Sequence, residues 1–431
     1  MSRPAVGFAG LTHLGLVSAV GVASKGFRVI GYDADAARVD AIKARRMPVV
    51  EPGLDDLARD VSCNLSYTHD IEDLAACDIV YIATDVLTDY RGQSDLSGIV
   101  ALIDRVIPVL GPTALLVVLC QVPPGFTRRL ALPPKRLYYQ VETLVFGRAV
   151  ERATEPERYI VGCADPALPL PAAYRALLEA FGCPILPMRY ESAELAKIAI
   201  NCCLVASVSV ANTLAGLSER IGADWSEIAP ALRLDRRIGA HSYLAPGLGI
   251  AGGNLERDLA TVVHLSEEHG AEASVIAAFV HNSRFRRDWA LRIAHAEVLA
   301  HRPDATFGIL GLAYKENTHS TKNSPSLALI AHLHPWPIRV YDPVVPASAA
   351  LHPMAIGTGT AIDVARGCDA LFIMTPWPEF RSLAPVDLAR VMVGRTIVDP
   401  FRVLETAAVR AAGLSHFTLG APPARAERSA G

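Results

Sequence analysis

The segment Ala5-Val6-Gly7-Phe8-Ala9-Gly10-Leu11-Thr12-His13-Leu14-Gly15 decides how the chain is read. A strand-like run over Ala5–Ala9 meets a glycine, and an apolar helical pattern follows over Leu14–Lys25. A second β run, Arg28–Tyr32, ends on Asp33. Strand, glycine turn, helix, strand and acidic residue, in that order, form the fingerprint of a dinucleotide site. In G-x-G-x-x-G the first glycine permits the tight turn. The middle one lets backbone approach a pyrophosphate, and the third lets helix and strand pack closely. Here Gly10 and Gly15 hold the outer places and Thr12 the middle one. The Thr12 Cβ can obstruct the phosphates, or its hydroxyl can donate to one; the sequence leaves both open. Asp33 is placed to accept the ribose hydroxyls and to repel a 2′-phosphate, so NAD is expected rather than NADP. An α/β domain that has lost its cofactor is the competing reading, and Thr12 is its support.

The same alternation extends outward. Ile79–Thr84, Ala114–Leu119 and Arg158–Val161 read as further strands, and Ala36–Arg45 as a helix. βαβ units and a mostly parallel sheet follow. From Glu191 the pattern turns to long helices. Strand runs return at Thr306–Gly311, Ile338–Tyr341, Ala370–Thr375 and Thr396–Val398, with a helix near Ser326–Leu333. The expected architecture is α/β, with two Rossmann-like parallel-sheet domains joined by a long central helix and a helical domain. The expected limits are 1–187, 188–302 and 303–420, with a disordered tail over 421–431.

The chain's 431 residues suffice for several cores, with 51% hydrophobic residues. Lys+Arg number 41 and Asp+Glu 44, a net charge of −3, which argues against nucleic acid or an anionic membrane as partner. The eight cysteines form no C-x-x-C pair and no zinc spacing, so no metal is expected. Scattered thiols fit a cytoplasmic protein. Met1–Pro4 runs straight into the first strand, so no signal peptide is expected. Ile198–Leu217 is apolar enough for a membrane span but carries Asn201, Ser207, Ser209, Asn212 and Thr213. It is read as a central helix packed on all sides.

Several motifs recur in a known order. Glu51-Pro52-Gly53-Leu54 matches E-P-G-L, and Gln121-Val122-Pro123-Pro124-Gly125 is like S-T-V-P-x-G. Gln140–Gly162 aligns to N-P-E-F-L-R-E-G…H-P-D-R-I-V-I-G. Glu191–Lys197 with Asn201 matches E-S-A-E-L-x-K-x-x-x-N, and Asp235–Gly239 is like D-P-R-I-G. Gly311–Lys315 with Asn317, Thr318 and Ser324–Ser326 matches G-L-A-F-K-x-N-T…S-P-S. Tyr341–Pro343 and Asp369–Leu371, through Trp377 and Phe380, complete the series. The chain resembles the UDP-glucose/GDP-mannose dehydrogenase family over nearly its whole length. Such enzymes use two NAD in turn to oxidise the primary alcohol of a nucleotide sugar to a carboxylate. The resemblance implies an NAD domain, a homodimer formed through the central helix, and a C-terminal domain for the nucleotide. It adds His13, Leu14, Thr84 and Gln121 to the expected cofactor contacts, with His13 read as packing.

That chemistry needs a cysteine, carried in the family by G-G-S-C-F-P-K-D. An aldehyde has no hydride to give until a nucleophile has added to it. This chain reads Gly252-Gly253-Asn254-Leu255-Glu256-Arg257-Asp258, with Asn254 at the cysteine's place. The family's lysine is Arg257, and the threonine of S-T-V-P is Gln121. Asn254 is either decay of an abandoned site or a new polar contact to substrate. What remains suits one-step hydride chemistry. Lys197 and Asn201, at i and i+4, share a helix face and can hold an alkoxide or a water. Asp258 is a candidate base and Glu142 a second carboxylate. A structural ion pair is the alternative for each. The resemblance places substrate contacts at Tyr243, Gly247, Gly249, Arg237, Arg257, Lys315, Lys322 and Arg402, with Arg237 reaching a facing subunit.

The expected function is an NAD-dependent nucleotide-sugar enzyme that stops at a carbonyl: an epimerase or dehydratase with internal hydride return, or a two-electron dehydrogenase. An Ala- and Arg-rich composition associates it with unusual antibiotic sugars. An ordinary 6-dehydrogenase forming a uronate and a non-catalytic nucleotide-sugar-binding protein are the alternatives.

Overall fold

The computed structural model describes residues 3–88 and 94–426. The chain divides into two compact units, Met1–Ile200 and Asn201–Gly431. The first is built on an eight-stranded sheet. Its strands are β1 (Val6–Ala9), β2 (Val29–Tyr32), β3 (Leu65–Thr68), β4 (Ile79–Ile82), β5 (Leu115–Val118), β6 (Leu137–Gln140), β7 (Tyr159–Cys163) and β8 (Ile185–Arg189). They lie in the order β8-β7-β6-β5-β4-β1-β2-β3, and every pair is parallel except β6 with β7. Val6 faces Val29 on one side and Ile79 on the other. The order reverses at β1, between β2 and β4, and that switch point is where doubly wound sheets open a ligand crevice. β1, β4 and β5 are buried throughout, as strands covered on both faces must be.

The second unit holds a six-stranded parallel sheet. It comprises β9 (Phe307–Leu310), β10 (Ile338–Tyr341), β11 (Ala355–Gly357), β12 (Ala370–Ile373), β13 (Thr396–Val398) and β14 (Ser415–Phe417), in the order β11-β10-β9-β12-β13-β14. Its switch point lies between β9 and β12. The expected α/β fold with two parallel sheets is the one found.

Six helices matter for the site: α1 (His13–Ser24), α2 (Tyr190–Ile221), α3 (Trp225–Leu234), α4 (Asn254–His269), α5 (Ser274–Arg287) and α6 (Pro325–His332). α2 runs 32 residues and, among the described residues, is the one helix long and apolar enough to cross a membrane. It is not packed on all sides within the chain. Val210, Leu214, Leu217 and Ile221 are exposed, because their spacing puts them on a single face while Ala211, Ala215 and Ser218 take the buried one. The tail also departs from expectation. Ala424 pairs with His416 of β14, and Arg425 makes a two-pronged ion pair with Glu297. Backbone pairing and charge hold 421–426 in place, while 427–431 lie outside the described residues.

Candidate active site

At the first switch point the glycine turn has the geometry its residues call for. Gly10 has φ +101°, a region that L side chains avoid. A Cβ on Gly15 would lie 1.8 Å from the Gly10 carbonyl oxygen, so only glycine lets α1 come this close to β1. The Asp33 carboxylate accepts the Leu11 N–H (2.8 Å) and Arg38 Nη1 (2.8 Å) on one oxygen and the Asp35 N–H (3.0 Å) on the other. Two carboxylate oxygens offer about four acceptor sites, so capacity for a ribose hydroxyl remains. A cavity of about 620 Å³ opens beside it, lined by Gly10, Thr12, Asp33 and Thr84. These groups fit NAD: a turn without side chains, a helix N-terminus and a carboxylate one strand over.

His13, Leu14 and Gly15 are buried in the first turn of α1, and Gln121 lies on the loop after β5. His13 Nε2 meets Glu51 Oε1 at 2.8 Å, and its ring stacks on Phe146 at 4.1 Å. Burial raises the Glu51 carboxyl, but His13 and the Gly147 and Ala149 N–H groups outweigh it and leave Glu51 below its ordinary value. Arg38, Tyr32, Arg105 and Asp85 also line the cavity and were missed from sequence. Arg38, five positions after Asp33 in the next helix, carried a signal that helical spacing could have revealed.

Lys197 pairs with Glu142, Nζ to Oε2 at 3.3 Å, both largely buried. The loop after β5 is tied to α2 by Glu194, fully buried, which accepts the Gly125 and Thr127 N–H groups (2.6 and 2.8 Å). In the second unit Asn201 donates to Asp258, which is 1% exposed, and Arg257 Nε stands 3.5 Å from the other oxygen. Arg257, expected as a substrate contact, is turned inward by α4 and is 4% exposed beside Asp258.

Asn254 is the first residue of α4 and is exposed. Cys202, next to Asn201 on α2, packs in a cluster with Leu255 and Leu259. Burial, with the Asp258 charge adding to it, pushes its thiol up to about 11, so it carries its proton at neutral pH.

The glycine loop before α4 is fixed by side chains. Gly247 N–H donates to Asn212 (2.8 Å) and Ile250 N–H to Ser283 Oγ (2.7 Å). Gly249 has φ +80°, and a Cβ there would strike the Ser283 carbonyl at 2.4 Å. Gly252 bonds with the loop before α6: its N–H donates to the Lys322 carbonyl (3.0 Å), and its own carbonyl accepts Asn323 Nδ2 (2.8 Å). Asn323 was not foreseen. Lys315 Nζ lies over the Tyr314 ring at 5.7 Å. Tyr243 is half exposed, and Arg237 folds back on its own Asp235 (2.6 Å). Arg402, expected as a phosphate contact, has its guanidinium on Asp224 (2.7 Å) and Ser226 (2.8 Å) at the start of α3.

The second sheet repeats the first turn with a different outcome. Gly311 has φ +90°, and Asp342 ends β10 as Asp33 follows β2. But Asp342 accepts five donors: the N–H groups of Leu312, Ala313, Val344 and Val345, and Trp377 Nε1. That carboxylate is spent on its own fold, whereas Asp33 is not.

A switch-point cavity beside a glycine turn, a helix N-terminus and a strand-end carboxylate defines a dinucleotide-binding class. Three domain models of the UDP-glucose/GDP-mannose dehydrogenase family match in order: the NAD binding domain over residues 5–180, the central domain over 191–283 and the UDP binding domain over 308–406. The chain belongs to that family, and its cofactor is NAD. It is similar to the UDP-glucose 6-dehydrogenase TuaD of Bacillus subtilis, 28% identical over 434 residues, 96% of this chain and 93% of that protein. It is likewise 28% identical to the UDP-glucose 6-dehydrogenase of Pseudomonas aeruginosa over 398 residues, 86% of this chain and 87% of the other. A solved UDP-glucose dehydrogenase from Pyrobaculum islandicum superposes with a TM-score of 0.85 at 27% identity, covering 97% and 98% of the two chains.

Proposed function

We propose that the chain oxidises a hydroxyl of a UDP- or GDP-linked sugar to a carbonyl and goes no further as an oxidant. The observation that carries this is Asn254 at the start of α4, where the family resemblance expects a cysteine. An amide cannot form the thiohemiacetal from which a second hydride leaves. Cys202 is not assigned to that role: it packs with Leu255 and Leu259, and burial pushes its thiol up to about 11. NAD, when bound, supplies the hydride acceptor. The proton is assigned to Asp258, directly or through a water, with Asn201 hydrogen-bonded beside it, and Lys197 with its partner Glu142 is assigned as a second charged pair. A carbonyl acidifies the neighbouring C–H. Epimerisation or loss of a hydroxyl, followed by hydride return, is then open, and this is the outcome we favour. The exposed apolar face of α2 supports a homodimer, and we place the protein in the cytoplasm. Domain limits at 187/188 and 302/303 are proposed: helices alone fill the interval between β8 and β9, and the first limit falls within β8, two residues before its end.

The test is to incubate protein and NAD with a panel of UDP- and GDP-sugars in deuterated water and analyse the products by mass spectrometry. Loss of water, loss of two hydrogens, or deuterium gained at constant heavy-atom composition supports the reading. A carboxylate with two NADH per sugar overturns it.

A further inference from the structure

The mouth of the cofactor turn contains a contact that NAD binding does not need. Asp85 follows Thr84 beyond the end of β4. Its carboxylate accepts the backbone N–H of His13 (3.1 Å), the first residue of α1. Its own backbone N–H donates to the Thr12 hydroxyl (2.9 Å). The two bonds are reciprocal and clasp the glycine turn to the end of β4. Thr12 and Asp85 both line the 620 Å³ cavity. A helix N-terminus offers unpaired N–H groups and the positive end of the helix dipole, and this turn uses it to seat a pyrophosphate. α1 has no acidic residue in its own first turn, and the Thr12 side chain makes no capping bond to the helix. Asp85 supplies that negative charge from another element. Thr12 is its natural partner, since a glycine there would leave the Asp85 N–H without this acceptor.

We propose that Asp85 sets the dinucleotide affinity of this chain by occupying the pyrophosphate seat until the cofactor displaces it. The proposal rests on the assignment of NAD to this turn. Carboxylate and diphosphate compete for the same N–H, and their like charges exclude each other at contact distance. Binding therefore includes breaking both clasp bonds and moving Asp85 aside. Removing the carboxylate lifts that cost for ligands carrying a diphosphate and for no others.

NADH, followed by its fluorescence, and ADP and adenosine, followed by calorimetry, are titrated at one ionic strength. The proteins are the full chain and its Asp85→Asn and Asp85→Ala variants, each checked for an unchanged melting transition. Asp85→Asn preserves the side chain's shape and guards against a folding defect. Both variants are expected to bind NADH and ADP about tenfold more tightly than the unaltered chain, with adenosine unchanged. NADH affinities within about twofold of the unaltered chain, or an equal gain for adenosine, overturn the proposal. If none of the three proteins binds NADH at millimolar concentration, the cofactor assignment fails and takes the proposal with it. That outcome is distinct from equal binding by all three.

Discussion

Asp258 shows how much a single buried carboxylate asks of its neighbours. At 1% exposure it accepts a hydrogen bond from Asn201 and lies 3.5 Å from Arg257 Nε. Asn201→Leu removes a donor and leaves the acceptor buried, which is expected to lower unfolding free energy by about 1–3 kcal/mol in urea titration. Asn201→Ser, which can still donate, is expected to recover part of the loss. The Asn254→Cys variant tests the other side of the site. A thiol at a helix N-terminus is readily ionised, yet Gln121 and Arg257 also depart from the family motifs. With product quantified against NADH, we expect no more than one NADH per sugar. The site's legibility follows the same division. Lys197, Glu142, Asn201 and Asp258 could be named from sequence because each sits in a contiguous motif, and Asp33 because it closes the second strand. Asp85, Arg105 and Asn323 were not, because only the fold brings them to the turn or the loop they serve.

At the scale of elements, the start of α2 is held by two carboxylates with opposite pH behaviour. Arg128 forms a two-pronged pair with Glu191 and, through that hydrogen bonding, holds its carboxyl down to about 2 from an ordinary 4.5. The folded value lies below the unfolded one. The pair's stabilisation is therefore present above pH 4.5 and is lost as pH falls toward 2. Burial raises the Glu194 carboxyl instead, so its contribution is present at low pH and is lost as pH rises through the raised value. Comparing unfolding of the unaltered chain and Arg128→Ala from pH 6 down to pH 2.5 isolates the first effect. The two curves should differ at the upper end and converge at the lower. Both partners of the pair are over a third exposed, so the difference is small. Strand legibility has an equally local cause. Most inner strands read as apolar runs, and the sequence located them. The four edge strands of the two large sheets, β3, β8, β11 and β14, escaped: LSYT and SHF carry polar residues, ILPMR a proline and an arginine, and AIG is only three residues long and ends in glycine. β6, also missed, is buried but reads LYYQ, and its pairing reverses direction at β7.

For the molecule as a whole, the two sheets share one winding and differ in what they do with the acid beside the first strand. Asp342 closes its turn from within, and Asp33 stays open to a ligand, which assigns the dinucleotide to the first unit without recourse to motif counting. A similar contrast governs α2. The hydropathy of α2 calls for cover, and the described residues of the chain cover only part of it. Val210, Leu214, Leu217 and Ile221 are 41–66% exposed and spaced four, three and four residues apart. That seam suits a second copy of the same helix, as two-fold pairing requires a self-complementary patch. Leu214→Asp with Leu217→Lys places charge at its centre. Sedimentation equilibrium should show a dimer for the unaltered chain and a monomer for the double variant, with far-UV circular dichroism unchanged. A monomer in both would mean that the seam is covered by something other than this chain, and a dimer in both would place the interface elsewhere on the surface.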